Sequence, residues 1–172
     1  MEKYRTRKPY KDITNHWIGR GAGDGVVKEA LSITIHGIKY NVDKKCVQLR
    51  YSEHEKNIAQ LINKRTGKNV YVLPKINKPD GIKTPDYRID SHLYELKTIN
   101  ILGRNTIYNA IKKKKQSSNY IIYISKDIST TNDLILKQIN KVFNNFETRH
   151  VKRIVLIKND EIQAVYKKTS HT

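Results

Sequence analysis

Residues 84–98, TPDYRIDSHLYELKT, constrain the fold more than any other stretch of the chain. Apolar and polar residues alternate on either side of Asp90-Ser91. That pattern makes the two residues a hairpin turn and pairs 89 with 92, 88 with 93, 87 with 94 and 86 with 95. Asp86 then faces Glu95 with Cβ atoms about 4.5–5.5 Å apart. Lys97 follows two residues later on the same face of the strand. Opposed carboxylates repel, so such a pair persists where a cation, a shared proton or a nearby lysine offsets the repulsion.

The other periodicities supply layers around this hairpin. Residues 52–66 read as an amphipathic helix. Ser52 and Glu55 form a capping box, Ile58, Ala59, Leu61 and Ile62 recur at helical spacing, and Gly67 stops it. A strand at 69–73 and a loop containing Pro74 and Pro79 lead into the hairpin strands, 82–89 and 92–99. Residues 105–115 and 131–146 form two further helices. Between them lies NYIIYIS, 119–125, whose continuous hydrophobicity marks a strand covered on both faces. A last hairpin, 151–158 and 162–167, turns at Asn159-Asp160. The core order α-β-β-β-α-β-α-β-β predicts an α/β (α+β) domain with a mixed central β-sheet flanked by helices.

Upstream of that core, strands at 32–35 and 38–42 turn at His36-Gly37, and 46–49 adds a third. This gives a small β-meander at 31–50 laid against a core at 52–168, the whole of 31–172 being one domain. Residues 1–30, basic and Gly-rich, read as an N-terminal arm and linker, with a short helix or docking segment at 12–18 around Trp17. The run GRGAGDG at 19–25 follows no strand and has neither P-loop nor dinucleotide-fingerprint spacing, which leaves it a linker.

The charge balance, 34 Lys+Arg against 16 Asp+Glu and a net +18, supplies a sequence-independent attraction to polyphosphate and points to nucleic acid as partner. One cysteine, Cys46, excludes an internal disulfide and a cysteine-based zinc site. A lone thiol suits the reducing cytoplasm, where the chain is expected to act. No apolar run approaches the roughly 20 residues that a spanning helix needs, and the N-terminus has no signal-peptide core.

A Pro-Asp pair, eight residues, then Glu-x-Lys, set in this element order, resembles a nuclease of the PD-(D/E)xK type. The resemblance assigns Asp86 and Glu95 to Mg²⁺ and Lys97 to the attacking water. Glu53 or Glu55 would offer a third carboxylate, although capping already accounts for Glu55. Lys112, Lys113, Lys114 and Lys115 close a helix, where the dipole favours cations. Four in succession exceed that need and fit contact with a phosphate backbone. Gln116, at the mouth of the apolar strand, is a candidate partner for substrate or a catalytic carboxylate. Arg104 and Thr106 precede the same helix, where a phosphate would meet its N-terminus. His54 reads as a surface histidine.

The segments SEHEKNIAQLI, GIKTPDYRI, YELKTI, NTIYNAIKKKKQSSNYIIYIS and VKRIVLIKN resemble the nuclease domain at the C-terminus of contact-dependent growth inhibition toxins. They also resemble similar domains carried by phages and mobile elements of Gram-positive bacteria. The likeness spans residues 52–168. It implies a toxin RNase acting on tRNA, with a barnase/EndoU/colicin/RelE-like fold, and an acidic immunity protein as partner. Three readings follow: an RNase acting on tRNA or other structured RNA, with or without Mg²⁺; a Mg²⁺-dependent DNase; and a non-catalytic nucleic-acid-binding protein on a nuclease scaffold.

Overall fold

The computed structural model describes residues 8–19, 25–113, 117–126 and 128–169. The first half of the chain forms β1 (Tyr10–Asp12), α1 (Thr14–Ile18), β2 (Val27–Glu29), β3 (Ser32–Ile35), β4 (Ile38–Asn41), β5 (Val47–Gln48), α2 (Glu53–Thr66), β6 (Val70–Val72) and β7 (Lys75–Ile76). The second half forms β8 (Tyr87–Ile89), β9 (His92–Ile99), α3 (Thr106–Lys113), β10 (Asn119–Ile124), α4 (Asn132–Asn144), a 3₁₀ turn (Phe146–Thr148), β11 (Arg153–Lys158) and β12 (Glu161–Lys168).

Eight strands make one sheet in the order β1-β12-β11-β10-β9-β8-β6-β2. Strands β9, β10 and β11 run parallel to one another and are joined through α3 and α4. Strand β2 is parallel to β6, and the remaining neighbours are antiparallel. The mixed sheet flanked by helices is therefore as the element order required, with the two-residue β7 as an addition.

Local chemistry explains the boundaries. Ser52 Oγ accepts from the Glu55 amide at 3.1 Å while Glu55 Oε2 accepts from the Ser52 amide at 2.6 Å, so the capping box starts α2. Gly67 ends it at φ 70°, a left-handed conformation that costs glycine little. Asn159 and Asp160, both at φ 53°, make the last hairpin turn.

The apolar residues of the sheet divide between two layers. Tyr120, Ile122 and Ile124 pack with α3 and α4 through Ile107, Ile111, Ile135 and Ile139. Ile121, Tyr87 and Tyr94 pack on the other face with Trp17 and with Ile58, Ala59 and Ile62 of α2. This two-sided covering accounts for the unbroken hydrophobicity of β10. A third cluster, containing Ile33, Val47, Leu73 and Ile76, lies beneath the small strands and touches Tyr71 and Leu93. It occupies the same face as α3, further along the sheet, because residues 93, 95, 97 and 99 of β9 share one side.

Two expectations need correction. The segment 31–50 is not a three-stranded meander: β3 and β4 form a hairpin, but β5 pairs with β7, at Val47↔Ile76 and Gln48↔Lys75. Part of the expected N-terminal arm belongs to the sheet. Strand β1 pairs with β12, and Tyr10 is buried against Phe143 at 4.8 Å between ring centroids. Strand β2 pairs with β6, and a Cβ added to Gly25 would stand 2.2 Å from the Gly67 carbonyl oxygen, so this glycine permits a close backbone approach. Strands of two or three residues are too short to show periodicity, and their partners lie far away in sequence. Residues 1–7 and most of the glycine-rich run fall outside the described residues. Among the described residues, no helix is long and apolar enough to cross a membrane.

The cap yields a direct expectation. Ser52→Ala should lower folding stability by about 1 kcal/mol, read as a shifted urea midpoint with unchanged slope.

Candidate active site

The hairpin carries the site. Its register is Tyr87↔Tyr94, Arg88↔Leu93 and Ile89↔His92, with Asp90 at φ 54° in the turn. At Asp86 the chain leaves the ladder. Its amide donates to the Tyr94 carbonyl at 2.9 Å, and its Oδ2 accepts from the Leu96 amide at 2.8 Å. The expected fourth pair, 86 with 95, is thus replaced by side-chain capture of a backbone donor. Asp86 still lies near enough to Glu95 to raise its proton affinity.

Both acids are nearly enclosed, Asp86 at 9% exposure and Glu95 at 7%. Lysines partly offset the charge. Lys75, arriving from β7, lies 2.5 Å from Asp86 Oδ1, and Lys97 lies 3.4 Å from Glu95 Oε1. Burial above all, and then Asp86, push the Glu95 carboxyl up to about 7 despite the opposing pull of Lys97 and Lys75. A carboxyl that exchanges its proton near neutrality, beside a second carboxylate and two ammonium groups, is equipped for acid–base work on a phosphodiester.

The structure brings together Asp86, Glu95 and Lys97, and adds Lys75. Sequence reasoning did not find Lys75, because a two-residue strand carries no pattern and the contact forms through an irregular loop. Lys112 and Lys113 end α3 at the end of the sheet where β10 begins, the end nearer Glu95, whose ladder partner is Tyr120. Lys112 is bridged to Glu147 at 2.9 Å. Lys114, Lys115 and Gln116 lie outside the described residues.

Arg104 and Thr106 sit at the other end, beyond Ile99. There the Ile107 amide donates to Gln138 Oε1 at 2.8 Å, and Thr106 Oγ1 accepts from the Gly103 amide at 2.7 Å. Glu55 is committed to its cap, and α2 covers the face opposite Glu95. His54 is on that side too, with Nε2 2.9 Å from Thr98 Oγ1 and its ring edge-on to Tyr123.

Comparison with known proteins centres on the same segment. Residues 83–162 match the model of the contact-dependent growth inhibition CdiA C-terminal domain, a class of toxin domains that are usually nucleases. The matched span includes Asp86, Glu95 and Lys97, runs from the hairpin into β12, and is under half of the 172 residues. It supports the toxin class and a nuclease in general. The chain is also similar to a protein of Borreliella burgdorferi named glutamate racemase, 30% identical over 103 residues. That match takes in 54% of this chain and 40% of the length of the relative. No solved structure matches.

The buried carboxyl makes stability depend on pH with a definite sign. Because Glu95 binds its proton more tightly folded than unfolded, its contribution is full below pH 4.5 and is lost as pH rises through about 7. The loss is on the order of 3 kcal/mol. Denaturant titrations from acid to mildly alkaline pH should show this decline, and Glu95→Gln should flatten it.

Proposed function

We propose that this chain is a nuclease that cleaves structured RNA, with tRNA the leading substrate, at the face holding Asp86, Glu95, Lys97 and Lys75. The carrying observation is the enclosed carboxylate pair, offset by two lysines, inside a strongly basic chain. The toxin-domain match supports phosphodiester cleavage over binding alone. The match to the racemase covers too little of that protein to bring its activity to this chain.

The donor set fits a hard divalent cation. Mg²⁺ is ordinarily held by one or two carboxylates, with water and substrate phosphate completing the shell. Among the described residues, no cluster of three or more acidic, histidine or cysteine side chains offers a fuller cage. Asp86 and Glu95 would hold the ion. When bound, it supplies a polarised water and a counter-charge for the phosphoryl oxygens. The protein's own groups do the rest. Leu96 N–H and Lys75 orient Asp86, and Lys97 presents its ammonium where negative charge grows on the phosphate.

A cation-free variant draws support from the proton affinity of Glu95, which suits it to take the proton of a ribose 2′-hydroxyl. The net +18 makes an acidic immunity protein the expected protein partner.

Purified protein should cleave tRNA and spare duplex DNA, and EDTA should abolish cleavage. Cleavage that survives EDTA selects the 2′-hydroxyl route, and cleavage of neither nucleic acid contradicts the nuclease reading. Glu95→Ala should reduce the rate at least about 10³-fold while salt-dependent RNA binding persists.

A further inference from the structure

A second concentration of positive charge lies across the sheet from the carboxylates. Lys11 of β1 is opposite Lys167 of β12, and Lys167 is opposite Arg153 of β11. Three cations therefore stand in one row across three adjacent strands, within about 10 Å at ordinary strand spacing. Like charges placed directly opposite destabilise a sheet. No carboxylate of the described residues lies within ion-pair distance of any of the three.

The row lines a cavity of 740 Å³ closed on one side by α1. The two acids of that cavity are already engaged: Asp90 bridges to Lys68 at 2.7 Å, and Asp12 accepts from the Thr14 amide at 2.8 Å. The proton affinity of His92, on the same wall, is pushed down by burial and then by Arg153, Lys167 and Lys152.

The cavity continues towards the candidate active site. A second hollow shares His92, Arg153 and Lys167 with the first and adds Lys152, Lys168 and Asn119. A third shares His92 and Asn119 and reaches Pro85, the residue before Asp86. Asn119, at 4% exposure, donates through Nδ2 to the Leu93 carbonyl at 3.0 Å, while its Oδ1 has no hydrogen-bond partner among the described residues.

We infer that this groove holds the phosphodiester backbone of RNA extending beyond the scissile bond, with Lys11, Arg153 and Lys167 making the phosphate contacts. The inference rests on the nucleic-acid reading above and extends it to residues outside the lysine-rich end of α3. Repulsion within the row is relieved when phosphates arrive, which explains its retention in a folded chain.

Binding of tRNA to protein carrying Glu95→Gln, measured between about 50 and 200 mM salt, tests it. Arg153→Gln and Lys167→Gln should each lower the slope of log affinity against log salt by about one. Arg153→Lys and Lys167→Arg should keep the wild-type slope, and melting temperatures should not fall, since repulsion is being removed. An unchanged slope and affinity in the double glutamine variant would overturn the inference. So would weakened binding of polyglutamate with tRNA binding intact, which would assign the groove to an acidic protein. Because cleavage is already removed from the chain used, failure of the nuclease reading would appear separately, as intact tRNA with unmutated protein.

Discussion

The structure depends on bringing two carboxylates under one layer of protein without letting their repulsion open the sheet. Asp86 and Glu95 are each almost fully enclosed, and in that setting an unpaired charge costs several kcal/mol. Three groups and a retained proton share the task of holding them. The Leu96 amide and Lys75 take the two oxygens of Asp86, while Lys97 and retained proton affinity serve Glu95. None of these would be in place without the hairpin register, and the register is held by Tyr87 and Tyr94 packing against α2 on the opposite face. The core on one side thus specifies the chemistry on the other.

That arrangement also explains the small strands β5 and β7. By themselves they are a two-rung ladder with little stability. Their place above Tyr71 and Leu93 lets β7 deliver Lys75 to Asp86, and Val47, Leu73 and Ile76 anchor them there. The acids lie between this small sheet and α3, so the site is walled by two elements far apart in the chain.

Most of the core was legible in the sequence because its signals are local. The S-x-x-E cap, the Asn159-Asp160 turn and the alternation around Asp90-Ser91 each specify a conformation within a few residues, and α2, the last hairpin and β8–β9 follow from them. The placing of Glu95 and Lys97 on one face of β9 was legible for the same reason, whereas Asp86, expected to pair with Glu95, leaves the ladder. What escaped depends on distant partners. Strand β1 finds β12 some 150 residues later, β5 prefers β7 to its neighbour β4, and Lys75 has no periodic context. The Lys11–Lys167–Arg153 row is the clearest case: each residue is unremarkable in its own segment, and only the pairing of three strands aligns them.

Asp86 and Glu95 sense one another within a shared, desolvated space, and the ionisation of Glu95 reports that most directly. Following its side-chain carboxyl by carbon NMR across a pH titration should give a midpoint near 7, falling when Asp86→Asn removes the neighbouring charge. A midpoint close to the ordinary 4.5, unmoved by Asp86→Asn, would contradict the account.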